Sequence, residues 1–198
     1  MADLHTIDAI VIGASYGGME SLAEIFRNLS VHFSLPVVIV YHRAKKSDGV
    51  FLLDYFSGYT KQTIIEVADN ETIHPQHIYL APADYHILIE NKKSISLSVD
   101  EPVNHSRPSI DILFQSASFV YQDKVMGIIL SGASSDGTDG LCAISRAGGF
   151  TIAQDPAQSI SPRMPQSAIE KCKINEIANL KRIAELMNLA DSYQRNSI

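Results

Sequence analysis

The sequence predicts an α/β fold: a three-layer, doubly wound, mostly parallel sheet with an appended antiparallel hairpin. Three observations carry this expectation. Short runs rich in β-branched apolar residues, at 7–12, 37–41 and 125–130, alternate with segments of helical periodicity. Two of those runs lead straight into Gly/Ser-rich turns, at 13–18 and 131–140. Between them, two further runs flank Asn91-Lys92-Lys93, a hairpin signal.

Taken in order, Ile-Asp-Ala-Ile-Val-Ile at 7–12 reads as a strand. After the turn Gly13-Ala14-Ser15-Tyr16-Gly17-Gly18, the residues Met19, Leu22, Ala23 and Phe26 recur at spacings of three and four, which predicts a helix. Pro36 opens a second buried strand at 37–41, and Val50, Leu53 and Phe56 mark the helical segment that follows a polar stretch. Residues 78–82 read as a strand, and 86–90 with 94–99 as the hairpin. Ile110, Leu113, Phe114 and Ala117 line one helix face, with Pro108 at a permitted first-turn position. Strand 125–130, a helix starting near Leu141, a short strand at 150–153 and a last helix over 179–191 complete the alternation. With no repeat, linker or low-complexity segment, one domain over residues 1–198 is expected.

Composition narrows the function. Apolar residues make up 45% of the 198 positions, which argues against disorder. Sixteen Lys and Arg against twenty-two Asp and Glu give a net charge of −6, poor support for a sequence-independent grip on nucleic acid. No apolar run approaches the ~18 residues of a membrane span, and residues 1–5 lack the features of a signal peptide. Cys142 and Cys172 show no C-x-x-C spacing and fall in helix-like segments, so they read as reduced, packed thiols. A cytoplasmic protein without membrane insertion is the expectation.

In an open parallel sheet the working site lies beyond the carboxyl ends of the strands. Three such ends carry reactive side chains: Ser15 in the first glycine turn, His42 after Tyr41, and Asp136 in the Gly/Ser loop. Nucleophile, base and orienting carboxylate are recognised by geometry rather than chain order, so separations of 27 and 94 residues are compatible with a triad. Each residue also has a plainer reading, as turn residue, structural histidine or helix cap. The turn G-A-S-Y-G-G further resembles a loosened dinucleotide fingerprint, with Arg43 a conceivable 2′-phosphate partner. The strict G-x-G-x-x-G spacing is absent, however, and His42 stands where an acidic ribose ligand would be. The same glycines suit a nucleophile on a tight turn with backbone N–H groups stabilising an oxyanion. His74 and His77 lack a third ligand and are not read as a metal pair. Arg107 reads as a structural residue in preference to a carboxylate ligand.

Several segments stand out together: V-I-G-A-S-Y-G-G at 11–18, V-Y-H at 40–42, I-Y-L-A-P-A-D-Y-H at 78–86 and V-N-H-S-R-P-S-I-D-I-L-F at 103–114. L-S-G-A-S-S-D-G-T-D-G at 130–140, I-A-Q-D at 152–155 and M-P-Q-S-A-I at 164–169 extend the set. In this order they resemble the catalytic domain of the bacterial chemotaxis protein-glutamate methylesterases, the CheB family. The resemblance implies Ser15 as nucleophile, His42 as base and Asp136 as triad carboxylate, with no metal or organic cofactor. It also implies hydrolysis of glutamate γ-methyl esters on chemoreceptor cytoplasmic helices, in some members with glutamine deamidation. Because the glycine motif begins at residue 13, a catalytic domain without a receiver domain is expected, leaving control to a separate receiver protein.

Departures from the family pattern fall around the expected oxyanion site. Tyr16 replaces a Thr, and Gly132-Ala133-Ser134 replaces G-M-G, so oxyanion or substrate contacts are assigned to Tyr16, Gly17 and Ala133. After His42, an apolar stretch is replaced by Arg43-Ala44-Lys45-Lys46-Ser47-Asp48. Arg43, Lys45 and Lys46 would offset repulsion between an acidic substrate helix and a net-negative protein. The alternative function is a catalytically weak CheB-like binding or regulatory module, and a nucleotide-binding domain ranks third.

Overall fold

A computed structural model describes residues 3–44 and 49–196. At its centre is β1 (Ala9–Ala14), buried at every position. Runs of Ile, Val and Ala suit such a strand, since both of its faces meet other layers. β1 pairs in parallel with β2 (Val37–Tyr41) on one side and β8 (Val125–Ile129) on the other. Beyond β2 lie β5 (His77–Leu80) and the edge strand β3 (Thr63–Glu66). Beyond β8 lie β9 (Phe150–Gln154) and β10 (Glu176–Ala178), so the sheet reads β10-β9-β8-β1-β2-β5-β3. The chain winds outward from β1 in one direction, then returns to β8 and winds the other way. The crevice beyond the carboxyl ends of β1 and β8 is therefore the topological switch point, where α/β folds place their ligands.

Strand alternation divides the core into two layers. Ile10, Ile12, Val37, Ile39, Met126 and Ile128 face α1 (Gly18–Arg27) and α6 (Leu180–Asn196), meeting Leu22, Phe26, Ile183 and Met187. Val11, Val38, Val40 and Ile129 face the opposite layer, where α3 (Ile110–Tyr121) and α4 (Thr138–Arg146) contribute Leu113, Phe114, Leu141 and Ile144. α5 (Arg163–Lys171) packs beside α4, while α2 (Gly49–Ser57) lies against β3. The three-layer, doubly wound architecture expected from sequence is the observed one.

Four details differ from expectation. The hairpin of β6 (His86–Asn91) and β7 (Ser94–Ser98) gains a third strand, β4 (Glu71–Thr72), making an antiparallel sheet ordered β4-β7-β6. β3, β10 and α5 are further additions, the strands being short and at the sheet edges. Pro108 precedes Ser109, the residue capping α3, and so lies outside the helix's first turn. The cysteines correct the reading of two reduced thiols. Cys142 and Cys172 form a disulfide, because packing of α5 on α4 brings their Cα atoms within 5.0 Å across a separation of 30 residues. Among the described residues, no helix is long and apolar enough to cross a membrane.

Candidate active site

Ser15, His42 and Asp136 follow β1, β2 and β8 and gather at one edge of the sheet. The first two are held by backbone pairing that continues past the strands: Ser15 N–H donates to Ser131 O (2.9 Å) and His42 N–H donates to Ala14 O (3.0 Å). Gly17, at φ +78°, turns the chain so that Gly18 starts α1. A Cβ at Gly17 would lie 2.5 Å from Ile160 Cβ and 2.7 Å from Ser131 Oγ, so the turn needs glycine for both conformation and space. Gly137, at φ +91°, makes the equivalent turn from the Asp136 loop into α4.

The His42 ring nitrogen Nε2 lies 2.9 Å from Asp136 Oδ2, with 14% of the histidine side chain and none of the aspartate exposed. A buried carboxylate is costly unless its oxygens are satisfied. Here Oδ2 also accepts Ile110 N–H (2.7 Å), and Oδ1 accepts Ser109 Oγ–H (2.9 Å) and Asp111 N–H (3.3 Å). Asn104 Nδ2 reaches the same Oδ1 at the limit of a hydrogen bond, 3.5 Å. Asp136 thus occupies the N-terminus of α3, where first-turn N–H groups and the helix dipole favour an anion. Burial alone would raise its pKa. The bonds from His42, Ile110 and Ser109, together with attraction to His42, outweigh burial and hold it below the usual aspartate value. An ionised Asp136 is an acceptor, so the shared hydrogen belongs to His42 Nε2, leaving Nδ1 as the nitrogen free to act on a nucleophile.

Asp111 stands one layer behind. Its Oδ1 accepts Gly140 N–H (2.7 Å) and its Oδ2 accepts Asn104 Nδ2–H (2.8 Å). Burial, with the charges of Asp136 and Asp139, pushes its carboxyl up to about 6 despite the Gly140 bond. On the other flank, buried Gln154 accepts Ser131 N–H (2.8 Å), while Ser131 Oγ donates to Tyr16 O (2.8 Å). These bonds tie the loop after β8 to the turn after β1. Asn104, Ser109, Asp111, Ser131 and Gln154 were not singled out from sequence. Each lies inside a motif that carries the family likeness, at 103–114, 130–140 or 152–155, and that membership was the signal that could have found them.

Among the described residues, no hydrogen bond links the Ser15 hydroxyl to His42, and the N–H groups of Tyr16, Gly17 and Ala133 donate to no protein acceptor. Tyr16 is 69% exposed and Ala133 is exposed as well. His42 separates two clefts. One, of about 230 Å³, is lined by Arg43, His105, Ser106, Arg107 and Pro108. The other, of about 440 Å³, is lined by the more apolar Met19, Tyr41, Phe51 and Leu52. Arg43 corrects the charge reading after His42: its side chain is only 6% exposed and pairs with Glu66, so it projects no free positive charge toward a partner. Lys45 and Lys46 lie outside the described residues. Arg107 binds Asp84 (2.9 Å) and the carbonyls of Val99 (2.7 Å) and Asp100 (3.0 Å), a loop-fastening arrangement. His74 and His77 have ring centroids 5.6 Å apart, and no group of three His, Cys, Asp or Glu suited to a metal occurs among the described residues.

A doubly wound sheet with a histidine–carboxylate pair at its switch point defines an α/β protein whose strand-end crevice holds a base and its orienting group. The CheB methylesterase family model matches residues 10–187, and the chain belongs to the CheB methylesterase family of carboxylic ester hydrolases. It is 44% identical over 182 residues to a putative protein-glutamate methylesterase/protein-glutamine glutaminase of Leptospira interrogans, covering 90% of this chain and 92% of that one. It is 33% identical over 200 residues to the protein-glutamate methylesterase/protein-glutamine glutaminase of Paraburkholderia xenovorans, covering 97% of this chain and 55% of that longer protein. The crystal structure of the Thermotoga maritima CheB methylesterase catalytic domain superposes with a TM-score of 0.85 at 31% identity, over 92% of this chain and 98% of that domain.

Proposed function

We propose that this chain is a protein-glutamate methylesterase that hydrolyses γ-methyl esters of glutamate on chemoreceptor cytoplasmic helices, through Ser15, His42 and Asp136. The observation that carries the reading is the 2.9 Å contact between His42 Nε2 and the buried Asp136 Oδ2, which leaves Nδ1 available to take a proton from a nucleophile. In the first half-reaction Nδ1 takes the Ser15 proton as Oγ attacks the ester carbonyl, and Asp136 stabilises the imidazolium. Charge on the carbonyl oxygen falls to the uncommitted N–H groups of Tyr16, Gly17 and Ala133. His42 then protonates departing methanol and activates water for deacylation, so no cofactor is required. The same acyl-enzyme formed from a glutamine side chain would release ammonia, which accounts for deamidation alongside ester hydrolysis. The reaction takes place in the cytoplasm. Lys45 and Lys46 attract the acidic substrate helix.

The competing reading, a CheB-like module without turnover, draws on the absence of a Ser15–His42 hydrogen bond. Such bonds are often long without substrate and tighten in the Michaelis complex. Methanol release from methylated receptor helices separates the two. Wild type is expected to release methanol and Ser15→Ala to fall to background. Equal release by both proteins would reject the serine mechanism, and none from either would favour the module.

A further inference from the structure

Behind the His42–Asp136 pair stands a second histidine that the reaction scheme does not use. His86 opens β6 and is 1% exposed. Its Nδ1 accepts the backbone N–H of Ser109 (3.1 Å), and its Nε2 lies 3.2 Å from the carbonyl oxygen of Glu101. An acceptor at Nδ1 and a donor at Nε2 specify the neutral ring with its hydrogen on Nε2. Ser109 is fully buried, extended at φ −105° and ψ 135°, and immediately precedes α3. A serine in that position ordinarily turns its hydroxyl back to its own helix. Ser109 makes no such bond and gives its hydroxyl to Asp136 Oδ1 at 2.9 Å. The helix end is capped by Asp136 instead, through Ile110 N–H and Asp111 N–H.

We propose that His86 is a positioning residue for ester hydrolysis. By accepting Ser109 N–H, it fixes the segment that aims Ser109 Oγ and Ile110 N–H at Asp136. It thereby holds the carboxylate in the orientation that receives the His42 Nε2 hydrogen. The inference rests on the Ser15–His42–Asp136 reading of the site. Its geometry is a chain of single bonds from His86 through Ser109 and Asp136 to His42, which alone of the four lines the clefts. The His86–Ser109 and Ser109–Asp136 links are buried, so the loss of either is not made good by solvent.

Asparagine and glutamine separate the two ring nitrogens. In His86→Asn the amide oxygen takes the place of Nδ1 and keeps the Ser109 contact, whereas in His86→Gln the longer amide serves only the Glu101 side. The first readout is the low-field proton NMR resonance of the His42 imidazole N–H bound to Asp136, which needs no substrate. The second is kcat and KM for p-nitrophenyl acetate. His86→Gln and His86→Leu are expected to shift the resonance upfield and lower kcat about 10- to 100-fold with KM little changed, as for a lost supporting bond. His86→Asn should restore both to near the wild-type values. Ser109→Ala should reproduce the His86→Gln phenotype, and the double variant should be no worse than either single one. A wild-type resonance and kcat in His86→Gln would overturn the proposal, and so would equal impairment of the Asn and Gln variants. If His86→Leu does not fold, the Asn–Gln contrast decides. Should wild type hydrolyse no ester at all, the serine mechanism fails while the resonance still judges His86.

Discussion

At the scale of single residues, Asp136 holds both the imidazole and the first turn of α3, with a pKa below the usual aspartate range. Asp136→Asn should lower kcat about 10³- to 10⁴-fold, as expected when a histidine loses its orienting carboxylate. Ester hydrolysis by the purified variant checks this. Asp111 titrates in the opposite sense, with a folded pKa raised from 3.8 to about 6. Between those values the folded chain holds a proton that the unfolded chain has released. The Asp111 contribution to stability therefore falls as pH rises through that window. Melting temperatures at pH 4.5 and 7 should show that fall in wild type and a smaller one in Asp111→Asn. Ser15, His42 and Asp136 were legible as candidates because strand ends declare themselves in the pattern of apolar runs and glycine turns. Ser109 and Asn104 were not, because the carboxylate they share, Asp136, is 27 and 32 residues away and only the folded loops bring them together.

At the scale of elements, the glycine turn between β1 and α1 is the least replaceable connection. Gly17→Ala would combine a left-handed φ of +78° with a 2.5 Å approach to Ile160. A destabilisation of about 1–3 kcal/mol is expected, together with reduced turnover as the Tyr16 and Gly17 amides shift. Chemical denaturation and steady-state kinetics on the same variant test both. Buried strands such as β1, β2 and β8 were readable because apolar runs of five or six residues, rich in β-branched side chains and bounded by turn signals, are too short for a helix. β4, with two residues, and β10, with three, carry too little pattern to stand out from loops. Their strand state comes from neighbours already in place, β7 and β9 respectively.

At the scale of the whole molecule, the Cys142–Cys172 bond fastens α4, which begins just beyond Asp136, to the end of α5. Closing a 30-residue separation restricts the unfolded chain and should contribute ~3–4 kcal/mol on the loop-entropy argument, or about 10 °C in Tm. Thermal melts of oxidised protein with and without a phosphine reductant, alongside a thiol titration, measure that contribution. Sequence reasoning read these cysteines as separate thiols because spacing says nothing about which helices pack together. The contrast between the two ends of the candidate triad has a further consequence. A descendant that abandoned ester chemistry would still need Asp136 to finish a helix, so that carboxylate would persist long after its reaction had gone. Among the described residues the Ser15 hydroxyl makes no hydrogen bond, and only its backbone is recruited by neighbours. Folding gives no reason to retain an alcohol there, and in any lineage losing the activity, position 15 is where the loss would first be written.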